Sequence, residues 1–179
     1  MKKYLNKKTV YEGKRFNVEQ VTYADEQGKK FLFDHVITKS AVTILPITKE
    51  GKIVFVKETR TAIGDITSYD LPAGVIEDGE SPELAALREL PEETGYVTDK
   101  LKFLCDYYAS KGYTNEKIYI FLAENLENKG NQNLDDAEEI DTYEFEYDEV
   151  MEMLNNGEFN SAPLYISLLM YKNIKEKNN

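Results

Sequence analysis

The stretch "RELPEETGY", residues 88–96, carries three glutamates whose spacing fixes the first element of the fold. Residues three and four apart share one side of an α-helix, so Glu89, Glu92 and Glu93 fall within about 100° of arc. The flanks agree with a helix. Ser81 is a good N-cap, Pro82 sits at the first helical position where its missing N–H costs little, and Gly95 closes the far end. Pro91 opposes it. A proline inside a helix removes one backbone hydrogen bond and clashes with the carbonyl four residues back, here that of Leu87, at roughly 3 kcal/mol. With Gly95 four residues further on, the expectation is a kink in the last turn that shifts Glu92 and Glu93 relative to Glu89.

Three crowded carboxylates repel one another unless positive charge lies among them. Arg88 does not neutralise three. A divalent cation would, and Mg²⁺ and Mn²⁺ prefer oxygen ligands. The competing reading is a solvated helix face supported by an Arg88–Glu92 pair at i,i+4. The cluster alone does not choose between them.

Strands surround this helix. Residues 16–37 read as a hairpin, "FNVEQVTY" and "KFLFDHVI" around the turn "ADEQGK". A second hairpin is expected from "SAVTILPI", "TKEGK" and "KIVFVKE", with more continuous apolar runs and hence a more central place. Residues 59–73 form a polar loop entering a short strand. Strands resume at "LKFLCDYYA", "KIYIFLAENL" and "IDTYEFEY", and helices close the chain at "DEVMEMLNN" and "APLYISLLMYKNIK". Such an order predicts a mixed α/β sandwich rather than alternating βαβ units.

The 179 residues suffice for one well-cored domain with a small appendage. A net charge of −11 argues against a general binder of nucleic acid or anionic membrane. Small phosphorylated substrates stay open, because a cation can bridge carboxylate to phosphate. The single cysteine, Cys105, and single histidine, His35, exclude an intrachain disulfide and a thiolate or histidine metal site. No secretory signal and no membrane-length apolar run is read, so the expected location is cytoplasmic.

The surroundings of the glutamates decide the matter. From Gly74 the spacing runs five residues, Glu80, seven residues, Arg88-Glu89-Leu90, one residue, Glu92-Glu93, one residue, Gly95 and Tyr96. This resembles the signature of the Nudix hydrolase family at every fixed position, and chance agreement is on the order of 10⁻⁸ per start point. The resemblance implies a Nudix-type α/β/α sandwich that holds Mg²⁺ or Mn²⁺ and hydrolyses a nucleoside diphosphate linked to another group. It further implies Glu89 and Glu93 as main metal ligands, with Glu92 sharing the load and the Ala73 carbonyl adding an oxygen. Arg88 would orient the carboxylates and Glu80 brace the helix. Pro91 occupies an unspecified position, so the pattern is not broken.

Features across nearly the whole chain are similar to the bacterial ADP-ribose pyrophosphatase branch. "VYEGKRFNVEQVTY" resembles its N-terminal antiparallel β-hairpin domain, which implies residues 1–38 as a dimerisation domain and 39–179 as the hydrolase. "VKETR" implies Arg60 as a substrate contact, and "YDLPAGVIEDGE" places Asp70 where glutamate is usual. The late acidic loop "DDAEEI" implies Glu138 as a metal ligand or base, with Asp136 and Glu139 as alternatives. Ser110, Lys111 and Gly112 stand where the branch shows "SPG", so Ser110 and Gly112 are implied at the substrate. The implied partners are a small nucleoside diphosphate sugar and a second copy of the chain that exchanges N-terminal domains. Tyr113 lies near a tyrosine of relatives acting on diadenosine polyphosphates, an alternative substrate class, and Pro91 raises a non-hydrolysing sensor as a third reading. For stacking on adenine, Phe31, Phe33 and Tyr69 are candidates.

Overall fold

A computed structural model describes residues 1–128, 130–134 and 139–178. The chain divides into two compact units, residues 1–41 with 107–118, and residues 42–106 with 119 onward.

The first unit is built on a three-stranded antiparallel sheet in the order β1 (Lys3–Glu12), β2 (Phe16–Ala24), β3 (Lys30–Thr38). The β2–β3 hairpin is the one expected, and its turn is chemically specified. Asp25 accepts the N–H groups of Gln27 and Lys29 at 3.0 and 2.9 Å, while Gly28 takes the positive φ of 80° that the reversal needs. Strand β1 was not read from the sequence. Its ten residues are all exposed, so no buried face imposes an alternation, and backbone pairing with β2 defines it.

The remaining elements are β4 (Ala41–Pro46), β5 (Ile53–Arg60), β6 (Ile66–Asp70), β7 (Ala73–Val75), α1 (Pro82–Thr94), β8 (Tyr96–Val97), β9 (Lys100–Tyr108), β10 (Lys117–Glu124), β11 (Glu127–Asn128), β12 (Asp141–Phe145), α2 (Tyr147–Asn156) and α3 (Ala162–Asn178), all in the second unit except Ala41, the last two residues of β9 and the first two of β10. The sheets run β7-β4-β10-β9, β12-β5-β6 and the short pair β11-β8. One expectation is corrected here. β4 and β5 are both strands, yet they do not form a hairpin ladder; they join different sheets, and an isolated Ile47–Ile53 bridge lies just past the end of β4. Both are buried on two faces, so apolar pattern alone could not assign their partners. The residue 59–73 loop holds more structure than expected, because β6 pairs with the outer half of β5.

Alternation sorts these strands between two cores. Val42, Ile44, Val54, Phe121 and Ala123 pack with Ala85, Ala86 and Leu90 of α1. Leu45, Ile53, Phe55 and Leu122 pack with Val150 and Leu154 of α2 and Leu164 and Leu168 of α3. Helices thus cover opposite sides of the strands, the mixed α/β sandwich expected. Fully buried Leu90 anchors α1, and its truncation to alanine would cost about 2–5 kcal/mol.

Candidate active site

Helix α1 begins as its sequence dictates: the Ser81 hydroxyl accepts the Leu84 N–H at 3.3 Å, and Pro82 stands in the first turn. It runs through Pro91 without a break and ends at Gly95, which adopts φ 72° and donates its N–H to the Pro91 carbonyl at 2.9 Å. Leu87, whose carbonyl loses its partner to Pro91, is 40% exposed, so water is at hand to replace the missing donor. Pro91 itself is half-buried, and Leu90 beside it stays fully buried.

Arg88 gathers the acidic side chains. Its Nη1 donates to Glu89 Oε1 at 2.7 Å and Glu92 Oε2 at 3.0 Å. Its Nε and Nη2 meet both oxygens of Glu80, each at 3.0 Å, and Nη2 also reaches the Val75 carbonyl at 3.0 Å. Five hydrogen bonds from one planar fork are within reach of arginine and not of lysine. The bond to Glu80 and those to Glu89 and Glu92 hold the guanidinium pKa above its ordinary value against the cost of burial. In return, Arg88 and the Glu77 N–H hold the Glu80 carboxyl below its ordinary value.

Two contacts tie the helix to β7. The buried Glu93 carboxylate accepts the Ala73 N–H at 3.0 Å. Glu89 lies against Gly74, where any Cβ would stand 1.8 Å from its Cδ. The structure therefore brings Ala73, Arg88, Glu89, Glu92 and Glu93 together on both sides of Pro91. Their donor set is wholly oxygen, which suits a hard divalent cation, and the Gly74 cradle is shaped to a carboxylate. Among the described residues no three acidic, histidine or cysteine side chains close into a finished metal cage. In this arrangement Arg88 takes one oxygen each of Glu89 and Glu92 and the Ala73 N–H takes one of Glu93.

The other expected residues are distributed as follows. Arg60 ends β5 and pairs with Glu58. Asp70 ends β6, accepts the Leu71 N–H at 2.9 Å and bonds Ser161. Burial raises its pKa, and the Leu71 and Ser161 bonds and the nearby Arg60 charge oppose that rise. Ser110, Lys111 and Gly112 belong to the first unit. There the Ser110 carbonyl accepts the N–H groups of Tyr113 and Thr114 at 3.3 and 3.1 Å, and Lys111 and Gly112 line a cavity of about 190 Å³ with His35, Ile37 and Asn115. Glu138 and Asp136 lie outside the described residues. Tyr69 is met edge-on by Phe55, Tyr143 and Phe145 and capped by the Lys57 ammonium at 5.4 Å. Phe31 carries the ammonium groups of Lys2 and Lys29 at 4.5 and 5.4 Å. Sequence reasoning missed Gln132 and Asn133, which bond the backbone of α1; an amide in a polar loop carries no signal of such contacts.

Comparison with known proteins gives a consistent picture. A family model, the NUDIX domain, matches residues 37–168. The chain is 33% identical to the ADP-ribose pyrophosphatase of Bacillus subtilis (strain 168) over 177 residues, 97% of this chain and 94% of that protein. It is 30% identical to the ADP compounds hydrolase NudE of Escherichia coli (strain K12) over 162 residues, 88% of this chain and 84% of the other. A crystal structure of an ADP compounds hydrolase superposes with a TM-score of 0.87 at 25% identity, covering 99% of this chain and 96% of that one.

Proposed function

From the premise that the chain belongs to the Nudix family and is a Nudix pyrophosphohydrolase, we propose that it splits ADP-ribose, or a similar nucleoside diphosphate sugar, into AMP and ribose 5-phosphate. The observation that carries the proposal is the convergence of Glu80, Glu89 and Glu92 on Arg88, with Glu93 fixed on the neighbouring strand. Nudix enzymes generally need divalent metal ions, and the oxygen-only donor set supports Mg²⁺ or Mn²⁺ held by Glu89, Glu92, Glu93 and the Ala73 carbonyl.

Such a cation, when bound, neutralises the pyrophosphate oxygens and makes a coordinated water more acidic. The chain's own residues do the rest. Arg88 orients Glu89 and Glu92 through its Nη1 hydrogen bonds. Arg60 and Asp70 are the substrate contacts assigned in the second unit, and Ser110 and Gly112 are those that the family resemblance implies in the first. Glu138 takes the proton of the attacking water as the bond from phosphorus to the bridging oxygen breaks. Positioning and electrostatics supply most of the acceleration in this chemistry.

The same reading makes residues 1–38 a dimerisation domain exchanged between two copies and 39–179 the hydrolase. Support comes from the apolar side chains Tyr4, Leu5, Tyr11, Phe16, Leu32 and Phe33, all exposed on the first unit. A cytoplasmic location is part of the proposal; no helix among the described residues is long and apolar enough to cross a membrane.

The test is hydrolysis of ADP-ribose, sugar nucleotides and diadenosine tetraphosphate, read as the nucleotide product released, with Mg²⁺ or Mn²⁺ and with chelator. Metal-dependent cleavage of ADP-ribose, reduced by about 10²–10⁴ in Glu93→Gln, is expected. Binding of ADP-ribose without turnover at saturating metal would overturn the proposal in favour of a sensor, and turnover confined to diadenosine tetraphosphate would reassign the substrate.

A further inference from the structure

The last turn of α1 is short of backbone hydrogen bonds. Pro91 has no N–H for the Leu87 carbonyl, and a helix end leaves its last four carbonyls without intrahelical donors. The Pro91 carbonyl is served by Gly95. The next two belong to Glu92 and Glu93, and both are claimed from outside the helix. The Asn133 N–H donates to the Glu92 carbonyl at 2.8 Å. Gln132 Nε2 lies 2.5 Å from the Glu93 carbonyl oxygen, 3.0 Å from that of Ile140 and 3.2 Å from Thr142 Oγ1. Thr142 Oγ1 in turn donates to the Glu93 carbonyl at 3.4 Å. Carbonyls only accept, so the side-chain nitrogen of Gln132 must face them.

The cap itself presses on the same segment. A Cβ at Gly95 would stand 2.3 Å from the Gly130 carbonyl oxygen. Residues 130–133 therefore lie directly on the end of the helix that bears two of the three clustered glutamates. Helix ends fray when their carbonyls are left to water, and Mg²⁺ tolerates little displacement of its ligands.

We propose that Gln132, with the Asn133 N–H beside it, is a positioning residue that serves the helix-end carbonyls of Glu93 and Glu92 and holds these glutamates in register with Glu89 for a divalent cation. This rests on the metal reading above. Gln132 touches no substrate; it acts through the backbone of the residues that do the chemistry.

The experiment is Mn²⁺ titration by calorimetry of the full chain without substrate, at a temperature where every variant is fully folded. Gln132→Met keeps the length and loses both donors. Its Mn²⁺ affinity is expected to fall about tenfold. A purely structural role would lower the melting temperature and leave the affinity of the folded protein unchanged, and that result overturns the proposal. Should Gln132→Met fail to fold, the wild-type protein decides by reciprocity. The Asn133 backbone amide and the Gln132 side-chain amide are expected to exchange hydrogen more slowly with Mg²⁺ than with chelator, and equal rates overturn the proposal. A wild-type protein that binds no Mn²⁺ overturns both this inference and the metal reading, whereas normal wild-type binding with an indifferent variant overturns the inference alone.

Discussion

Glu89 is seated on Gly74: a Cβ on residue 74 would lie 1.8 Å from Glu89 Cδ and 1.9 Å from Oε1. The obstructing atoms are the far end of a flexible side chain, so Gly74→Ala should fold by pushing the carboxylate aside. The expected result is a loss of turnover of about 10²-fold with an almost unchanged melting temperature. Steady-state kinetics beside a thermal melt checks it; unchanged turnover would mean that Glu89 has no fixed task.

Arg88 makes its contacts to Glu80, Glu89, Glu92 and the Val75 carbonyl through three different nitrogens. A lysine at this place offers one nitrogen. Arg88→Lys should therefore lower unfolding free energy by about 1–3 kcal/mol and reduce metal-dependent turnover as well. Urea denaturation measures the first effect, and a variant as stable as wild type would show the network to be dispensable.

Two carboxyls give opposite pH signatures. Glu80 has its folded pKa lowered by Arg88, so its contribution is present above its ordinary value of 4.5 and is lost as pH falls through the folded value. Asp70 has its folded pKa raised by burial, so its ionisation costs stability at neutral pH. That cost fades as pH falls toward its ordinary value of 3.8. Asp70→Asn should accordingly melt higher than wild type at pH 7, with the gap closing as the pH approaches 4. Its affinity for ADP-ribose should fall. Melting curves across this range decide the sign.

Pro91→Ala restores the N–H that the Leu87 carbonyl lacks. The gain is smaller than a full proline penalty, because Leu87 is exposed and the alanine chain is freer when unfolded. An increase of about 1–2 kcal/mol, or roughly 2–8 °C in melting temperature, is expected. A lower melting temperature would show that the fixed φ of proline stabilises the last turn.

Much of the site was legible because its chemistry is local. Arg88, Glu89, Glu92 and Glu93 lie on one helix, so helical periodicity placed them together, while Glu80 in the turn before it entered by family resemblance. The Ala73 carbonyl entered by family resemblance. Pro91 was legible as a problem, but its remedy was not: whether a missing hydrogen bond matters depends on whether Leu87 faces water and on what lies against the helix end. Strand β1 escaped notice because an exposed edge strand has no core to write an alternation into its sequence. The β4 and β5 strands were visible, and their partners were not, since residues apolar on both faces fit any central position.

The sequence by itself determined the helix, the identity and facing of its carboxylates and the family to which they belong, because these depend on spacing within one turn or two. Only the tertiary structure decided that Glu89 sits on Gly74, that Glu93 is bonded to Ala73, and that Gln132 and Asn133 serve the carbonyls of Glu93 and Glu92. These contacts join residues that are fifteen to forty-one positions apart in the chain, and hydrogen-bond directionality and hard-sphere contact act on distance in space, which no local periodicity encodes.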